Sequence, residues 1–532
     1  MLCFLIVVYL ALFLDNSIVR IRLFSADSMN YIDVARNISN AKGIVQSTLG
    51  FNQALLFNQD SSIPAPFTSQ PPLFPILIAI ISRVGLDQAN AALLISASAF
   101  GYVTLLAYFI MRKLYGPPVA VLSAGLLLVY PDLRLVARYA WTETLGISFV
   151  LTTLYCAIRL ADEHQTARNA ILWAAVAGLS AGLAFDARYV FGTAAIIGLV
   201  YLVLYLRADK QMLLTGGIAY LAGLSVPVGL ELRHNWVVAG RILPVLLPSD
   251  RGLVLNIEDA AFRLFADNVW SGLSGLDLNR LVRLGLNLIV LVLVLGLLLK
   301  NLRSPNVLSD TFFSNGRSLL LVWFFAYLIV LIVQRSLQSF DTIGERLIVP
   351  AGIVVPLLLA VLYTQSVGPP VAENNILVSV AMVLLVALLE VGVGLTWPAV
   401  SDGTTIAQSP RLTWIEQNTS PHDLVVGDDA VDIPFYFRQD AASFSPYPFT
   451  VHLQYDQLVG FVGNQCANYR RFYLVLRDYR LEPDQIQYQF GDFITNVLAG
   501  HLKDYPDITD IGRLPDAYLY RILTCDLRGS KP

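Results

Sequence analysis

The chain has 532 residues, of which 56% are hydrophobic and 14% are charged, and its formal net charge at pH 7 is −3. One soluble core cannot bury that much apolar surface, so the composition predicts an integral membrane protein. The apolar runs approach the roughly 20 residues that a helix needs to cross a bilayer, and such long continuous runs exclude a β-barrel.

Eleven apolar segments are predicted to span the membrane. They lie near residues 1–14, 88–111, 117–131, 143–161, 169–186, 188–206, 212–230, 281–299, 318–334, 347–363 and 375–397. The first segment starts at Met1 without a basic flank, which favours an uncleaved anchor over a cleaved signal peptide. The apolar stretch 73–84 follows Pro71-Pro72 and is too short to cross, which favours an interfacial helix. The alternative is a tilted span, which would invert the topology of everything after it.

Basic residues give the predicted orientation. They cluster on alternate connections, among them residues 112–113, 207–210 and 300–303. Because short cytoplasmic loops carry an excess of Lys and Arg, these connections are predicted to be cytoplasmic. The loop that holds Asp27 and the region after residue 397 then face outward.

The hydrophobic pattern changes after residue 397. Short apolar runs at 424–427 and 472–476 are typical of buried strands, and residues 411–419 are typical of a helix. The sequence therefore predicts a membrane domain, 1–397, whose first outer loop, 15–87, carries interfacial helices, and a soluble α/β domain, 398–532. The excess of acidic over basic residues in the second domain argues against nucleic acid as a partner.

Cysteine positions allow one disulfide. Cys3 and Cys156 lie in predicted spans, whereas Cys466 and Cys525 share the outward domain. An oxidising compartment permits these two to form a bridge, and two buried thiols are the alternative.

Asp27 and Tyr31 are the first polar candidates for a functional site. They are four residues apart at the start of a helix predicted from Ser28 to about Asn40, so they share one helical face. A carboxylate at the membrane surface beside many spans is typical of catalysis on a lipid-borne substrate. The structural alternative is a helix N-cap for Asp27 and an interfacial tyrosine for Tyr31.

Further charged residues lie at the predicted outer ends of spans. Glu143 begins a span just after Arg138, and Arg346 enters another span from outside. Arg188 and Tyr189 interrupt an apolar stretch, where a charge is costly unless it serves a site. The alternatives are helix-dipole stabilisation for Glu143 and snorkelling to the headgroups for Arg346.

Together these motifs resemble the GT-C superfamily of polyprenyl-phosphate-sugar-dependent glycosyltransferases, which includes protein O-mannosyltransferases and lipid A aminoarabinose transferases. The resemblance covers nearly the whole chain. The shared features are Asp27 with Tyr31, Pro71-Pro72-Leu73, the segment Arg112-Lys113-Leu114-Tyr115-Gly116, Thr142-Glu143, Ala187-Arg188-Tyr189, and Arg346 with Pro350. The fold that it implies is a polytopic α-helical membrane protein, GT-C-like with about 11 transmembrane helices, with a C-terminal outward-facing α/β domain.

The resemblance also implies an activity. A sugar would pass, with inversion, from a polyprenyl-phosphate carrier to a hydroxyl of a lipid, glycan or protein acceptor outside the plasma or inner membrane. The implied catalytic residues are Asp27, as the general base, and Glu143. The implied substrate-binding residues are Tyr31, Arg138, Arg188, Tyr189 and Arg346, with the arginines stabilising the leaving phosphate. No cofactor is implied.

The sequence departs from the family pattern at two positions. Ser28 follows Asp27 where many relatives carry a second acid, and Leu347 follows Arg346 where relatives often have tyrosine. Because the first loop lacks a pair of acids that would hold a divalent ion, no metal is expected. Two other functions stay open: a catalytically silent scaffold in a membrane complex, and a transporter of polyprenyl lipids or sugars, which should show internal repeats.

Overall fold

The structure is a computed structural model that describes residues 24–50, 63–68, 70–128, 130–160, 166–207, 209–243, 249, 252–264, 318–338, 343, 345–367, 409–428, 432–444, 461–477, 508–523 and 525. The predicted spans at 1–14, 281–299 and 375–397, and Cys3, lie outside the described residues. The chain forms two compact units. The membrane unit comprises Met1–Leu23, Thr68–Phe74 and Asn90–Ala399, and the sheet unit comprises Phe24–Phe67, Pro75–Ala89 and Val400–Pro532.

Helices dominate the chain before residue 400. In chain order the described ones are α1 (Ala26–Ser39), α2 (Leu73–Ser82), α3 (Gln88–Tyr115), α4 (Pro117–Leu128), α5 (Pro131–Arg138), α6 (Glu143–Leu160), α7 (Ala167–Ala187), a 3₁₀ helix (Tyr189–Gly192), α8 (Thr193–Leu206), α9 (Lys210–Ala239), α10 (Leu253–Phe262), α11 (Leu319–Leu337), α12 (Glu345–Gly352) and α13 (Val354–Val367).

Six helical segments of the described chain are long and apolar enough to cross a membrane. They are Gln88–Tyr115, Glu143–Leu160, Ala167–Ala187, Tyr189–Leu206, Lys210–Ala239 and Leu319–Leu337, and the pair α4 and α5, bent by 53°, makes a seventh if it is one span. The described residues therefore give six or seven of the eleven predicted spans. The predicted span 347–363 is divided into α12, which contains Pro350, and α13, which begins at Val354.

Helix α9 is longer than the sequence predicts. The span was expected at 212–230 with an outer loop from Glu231, but the helix continues to Ala239. It ends where Gly240 adopts a left-handed conformation, with φ 65°. This ending has a local cause, because glycine reaches that conformation without the steric cost that a Cβ imposes.

Helices α7 and α9 pack closely through small residues. A Cβ added to Gly178 would lie 1.9 Å from the carbonyl oxygen of Tyr220, so only glycine allows the two backbones to approach this far. Buried alanines of α7 line the same contact, at positions 170, 174, 177 and 181. Small residues at such positions let the helices associate by close van der Waals packing, which does not depend on exclusion of water.

The sheet unit is built on a six-stranded mixed sheet. Its strands are β2 (Thr48–Gly50), β4 (Asp423–Asp428), β5 (Ala441–Phe444), β6 (Arg471–Arg477), β7 (Ile508–Arg513) and β8 (Ala517–Ile522), in the spatial order β2-β5-β4-β6-β8-β7. The first four strands in that order are parallel, and β8 pairs antiparallel with both β6 and β7. Strands β1 (Val45–Gln46) and β3 (Ala65–Pro66) pair antiparallel in a separate two-stranded sheet. Helices α14 (Pro410–Asn418) and α15 (Asp432–Phe437) belong to the same unit.

Residues of the first outer loop form part of this sheet. Strand β2 pairs with β5 in parallel, with Thr48 opposite Ala441. In α1, Arg36 Nη1 donates to the carbonyl oxygen of Phe435 at 2.6 Å, and the guanidinium carbon lies 5.2 Å from the centre of the Phe435 ring. The sequence did not predict these contacts, because strand pairing over such a chain separation leaves no local sequence pattern.

Helix α1 starts two residues earlier than predicted. Ser25, and not Asp27, is its N-cap: the Ser25 hydroxyl accepts a hydrogen bond from the Ser28 backbone N–H, and the Ser28 hydroxyl accepts one from the Ser25 N–H. Asp27 lies in the first turn, where a negative charge favours the helix dipole. The predicted N-cap alternative for Asp27 is therefore wrong.

Asp33 links α1 by hydrogen bonds to the segment just before β2. Its carboxylate accepts hydrogen bonds from the Ser47 backbone N–H at 2.6 Å and from the Ser47 hydroxyl at 2.9 Å. Burial raises the pKa of Asp33, and the two bonds from Ser47 oppose that rise. Sequence analysis did not single out Asp33, because its partner is 14 residues away in an irregular segment.

The sheet unit contains a disulfide, as the sequence allowed. Cys466 and Cys525 are bonded, with their Cα atoms 5.5 Å apart. Cys156 is a buried thiol in α6.

We expect Gly178→Ala to destabilise the membrane unit by about 1–3 kcal/mol, because the new methyl group would overlap the Tyr220 backbone. The measurement is thermal unfolding of the purified full chain in detergent. Gly217→Ala in α9 is the matched control, because a Cβ there meets nothing within 4 Å. Equal melting temperatures for the two variants would contradict the close packing of α7 and α9.

A buried carboxylate at the start of β4 gives a pH-dependent prediction. Although burial alone would raise it, the pKa of Asp423 lies below 3.8, because Arg471 and Ser420 donate hydrogen bonds to the carboxylate. A lowered pKa stabilises the fold above the pKa of the unfolded chain, and this contribution disappears as the pH falls through the folded value.

Asp423→Asn should therefore cost about 1–3 kcal/mol of unfolding free energy at pH 7, and the difference from the native chain should shrink below pH 3.8. Thermal unfolding of the full chain, in steps of roughly half a pH unit between pH 3 and pH 7, measures this difference. Asp510→Asn, at an exposed residue of β7, is the control. A difference that is constant over the whole range would rule out the titration of Asp423 as its cause.

Candidate functional site

An ion cluster lies at the N-terminus of α6. Glu143 is the first residue of that helix and is 1% exposed. Its Oε1 atom accepts a hydrogen bond from Nη1 of Arg188 and another, at 2.6 Å, from Nε of Arg346. We call these three residues the cation cluster. The structure thus brings together three of the predicted site residues.

Each member of the cation cluster lies where a helix begins or ends. Arg188 ends α7 in an extended conformation, with φ −163° and ψ 131°, and the 3₁₀ helix follows directly. Arg346 is the second residue of α12. Charged side chains within a membrane region usually face the interior of the helix bundle, which agrees with these positions.

Hydrogen bonds hold the N-terminus of α6 against α3. The hydroxyls of Ser96 and Thr144 lie 3.0 Å apart, and Ser96 also donates to the Trp141 carbonyl oxygen at 3.3 Å. Both hydroxyls are fully buried. Glu143 is consequently presented from a fixed backbone.

An aromatic ring lies against the guanidinium of Arg346. Its central carbon lies 4.8 Å from the centre of the Trp141 ring, within the range of a cation–π interaction. Trp141 stacks in turn on Tyr139, with ring centres 4.8 Å apart. On α11, the Tyr327 hydroxyl donates to the Leu347 carbonyl oxygen at 2.8 Å and so fixes the first turn of α12. The arginine is held in place before any ligand binds.

The cation cluster joins two arginines to one carboxylate. One oxygen of Glu143 accepts from both guanidinium groups, and the Arg188 and Arg346 side chains are 23% and 14% exposed. Guanidinium groups carry five N–H donors in a planar fork that matches the oxygens of phosphate. The arrangement therefore suits an anionic group such as a phosphate monoester or diester.

A second polar cluster lies next to the cation cluster in the chain. The Tyr189 hydroxyl donates to Glu231 Oε1 at 2.7 Å, and Asn235 Nδ2 donates to the same oxygen at 2.9 Å. Glu231 and Asn235 are each 2% exposed. Sequence analysis missed both; the available signal was an acid and an amide four residues apart on an apolar helix.

The other predicted site residues are Asp27, Tyr31 and Arg138. Asp27 and Tyr31 belong to the sheet unit, where Tyr31 is 2% exposed and packs edge-on against Phe67, with ring centres 6.3 Å apart. Arg138 is the last residue of α5 and is half-buried. In the described part of the chain, no group of three or more His, Cys, Asp or Glu side chains is arranged to hold a metal ion.

These features define a polytopic helical membrane protein with a cluster of charged side chains at its helix ends. Comparison with known families agrees: the family model for dolichyl-phosphate-mannose-protein mannosyltransferases matches residues 69–229. A comparison with curated proteins found no match.

Several solved structures have a similar fold. ArnT from Cupriavidus metallidurans in the apo state has a TM-score of 0.61 at 13% identity, over 98% of this chain and 97% of that chain. The same enzyme bound to undecaprenyl phosphate has a TM-score of 0.59 at 12% identity, with the same coverage. The apo oligosaccharyltransferase from Archaeoglobus fulgidus has a TM-score of 0.53 at 13% identity, over 90% of this chain and 70% of that chain. The predicted resemblance to the GT-C superfamily is confirmed, and the chain has the GT-C glycosyltransferase fold.

Removal of the shared carboxylate should destabilise the protein. Glu143→Gln removes the buried carboxylate charge that Arg188 and Arg346 share, so we expect a loss of about 3–5 kcal/mol. Thermal unfolding of the full chain measures the loss, and Glu416→Gln, at an exposed position, is the control.

The double variant Glu143→Gln with Arg188→Met should lose less stability than the sum of the two single variants, because it removes one charge of each sign. Additive losses would show that Glu143 and Arg188 do not interact in the folded protein.

Proposed function

We propose that the protein transfers a sugar from a polyprenyl monophosphate carrier to an acceptor hydroxyl on the outer side of the membrane, with inversion at the anomeric carbon. The observation that carries this proposal is the cation cluster. It brings two arginine side chains together on one carboxylate in the membrane unit of a GT-C fold, and ArnT, which has a similar fold, has been solved with undecaprenyl phosphate bound.

Arg188 and Arg346 are the proposed ligands of the carrier phosphate. When the bond between sugar and phosphate breaks, negative charge increases on the phosphate oxygens. Preorganised guanidinium groups stabilise that charge most effectively where water is excluded. Glu143 is proposed as a positioning residue, because its single oxygen holds both guanidinium groups at a fixed separation.

Asp27 is the proposed general base. An acceptor hydroxyl must lose its proton as it attacks the anomeric carbon from the face opposite the phosphate, and a positioned carboxylate takes up that proton. The helix that carries Asp27 is held by the Ser25–Ser28 capping box and by the bonds of Asp33 to Ser47. A base on a fixed helix meets the geometric demand of a single displacement.

The departure from the family pattern at Ser28 has a local explanation that agrees with this proposal. Its hydroxyl accepts from the Ser25 N–H at 3.3 Å and lies 3.0 Å from the Ser25 hydroxyl, so Ser28 serves the helix start. Asp27 alone would then act as the base, without a second acid beside it.

The sheet unit is proposed to lie outside the membrane and to select the acceptor, whether lipid, glycan or protein. A mixed sheet closed by a disulfide is stable in an oxidising compartment. The protein would then be integral to the plasma or inner membrane, with the transfer reaction at its outer face.

Asp27→Asn should lower the rate of transfer by roughly 10²–10⁴-fold with little change in carrier binding, because the amide cannot accept the proton. The measurement is transfer from a panel of polyprenyl-phosphate hexoses and pentoses by the full chain in lipid, alongside binding of the carrier phosphate. Asp87→Asn, which alters an exposed aspartate, is the matched control.

Native activity in Asp27→Asn would exclude Asp27 as the base. Native protein that binds the carrier but transfers none of the sugars would favour the scaffold over the enzyme.

A further inference from the structure

We propose that Asp186, Glu231 and Asn235 form a subsite for the hydroxyl groups of the transferred sugar, an inference that rests on the proposed function. We call this set the acceptor cluster, because each of its residues has a buried oxygen that can accept a hydrogen bond from a ligand. It lies within the membrane unit, at the outward ends of α7 and α9 in the predicted topology.

The geometry fixes the orientation of the Asn235 amide. Its Nδ2 atom lies 2.9 Å from Glu231 Oε1, 3.2 Å from the Ile242 carbonyl oxygen and 3.1 Å from the Tyr189 hydroxyl. The first two partners only accept hydrogen bonds, so the NH₂ group must face them. The amide oxygen of Asn235 therefore points away from Glu231, Ile242 and Tyr189.

Three oxygens of the acceptor cluster stay without a donor. Glu231 Oε2, Asn235 Oδ1 and Asp186 Oδ1 are buried, and none accepts a hydrogen bond from the described residues. Asp186 is close enough to Glu231 for their charges to interact. Buried oxygens of this kind are costly unless a partner supplies the missing donors. A molecule with several hydroxyl groups on one face has the required chemistry.

The chain places this cluster beside the proposed phosphate ligands. Arg188 belongs to the cation cluster, and Tyr189, the next residue, donates to Glu231. Neighbouring Cα atoms are about 3.8 Å apart across a trans peptide. A glycosyl phosphate has the same layout, since its anionic group is joined directly to a ring that carries hydroxyls. One break between α7 and the 3₁₀ helix can thus serve both halves of the donor.

Glu231→Gln tests the subsite selectively. The Gln oxygen must take the place of Oε1, where Tyr189 and Asn235 both donate, so the new NH₂ group takes the place of Oε2. The substitution turns an open acceptor into a donor while the internal bonds are kept. Glu258→Gln, at an exposed residue of α10, is the matched control.

The experiment compares the binding of polyprenyl phosphate alone with that of polyprenyl-phosphate hexose, using the full chain in nanodiscs. The native protein should bind the sugar-loaded carrier more tightly. In Glu231→Gln this preference should fall at least tenfold, while binding of the bare carrier changes less than about twofold. Sugar donors that each lack one ring hydroxyl should show which hydroxyl donates to Glu231. Loss of that hydroxyl should lower the affinity of the native protein but not that of Glu231→Gln.

The other outcomes overturn one proposal or both. An equal loss for the two carriers would show a purely structural role for Glu231, and an unchanged preference would exclude the subsite. Native protein that binds both carriers equally would overturn the subsite but leave the carrier proposal intact. Native protein that binds neither carrier would overturn both. If Glu231→Gln melts early, Asp186→Asn provides the same comparison from a residue outside the hydrogen-bonded trio.

Discussion

The carboxylate of Glu143 is the interaction on which the membrane unit depends. One buried oxygen binds two arginines that are 45 and 203 residues away, and so connects the start of α6 with the end of α7 and with α12. Charges in such surroundings are tolerated only in mutual contact. The same contact holds two guanidinium groups at the helix ends, and these are the proposed ligands of the carrier phosphate.

Helix breaks give the membrane unit its chemistry. Arg188, Tyr189 and Arg346 all lie where a helix stops or starts, and the long helix α9 adds Glu231, which accepts from Tyr189. Close contacts such as that of Gly178 with Tyr220 keep these helices together, and the position of one helix end fixes that of its neighbour. The proposed phosphate and sugar subsites are adjacent because one break serves both.

The sheet unit combines segments from both ends of the chain. The first loop contributes α1 and β2, and the C-terminal region contributes the remaining strands of the six-stranded sheet. Arg36 links α1 to helix α15, and Asp33 links it to the chain before β2. The helix that carries the proposed base is consequently ordered by residues almost four hundred positions away, so catalysis on the first loop would require the C-terminal region to be folded.

The sequence by itself determined the class of protein, the positions of most described spans and the identity of the charged residues, because hydropathy and the cost of charges in apolar segments are local properties. It also indicated the GT-C resemblance through Asp27, Glu143, Arg188 and Arg346. Only the tertiary structure decided that Arg188 and Arg346 share one oxygen of Glu143. The same is true of the hydrogen bonds that join Tyr189, Glu231 and Asn235, and of the pairing of β2 from the first loop with β5. Those facts depend on pairings between distant residues, whose energies come from buried charges and backbone hydrogen bonds that no short segment contains.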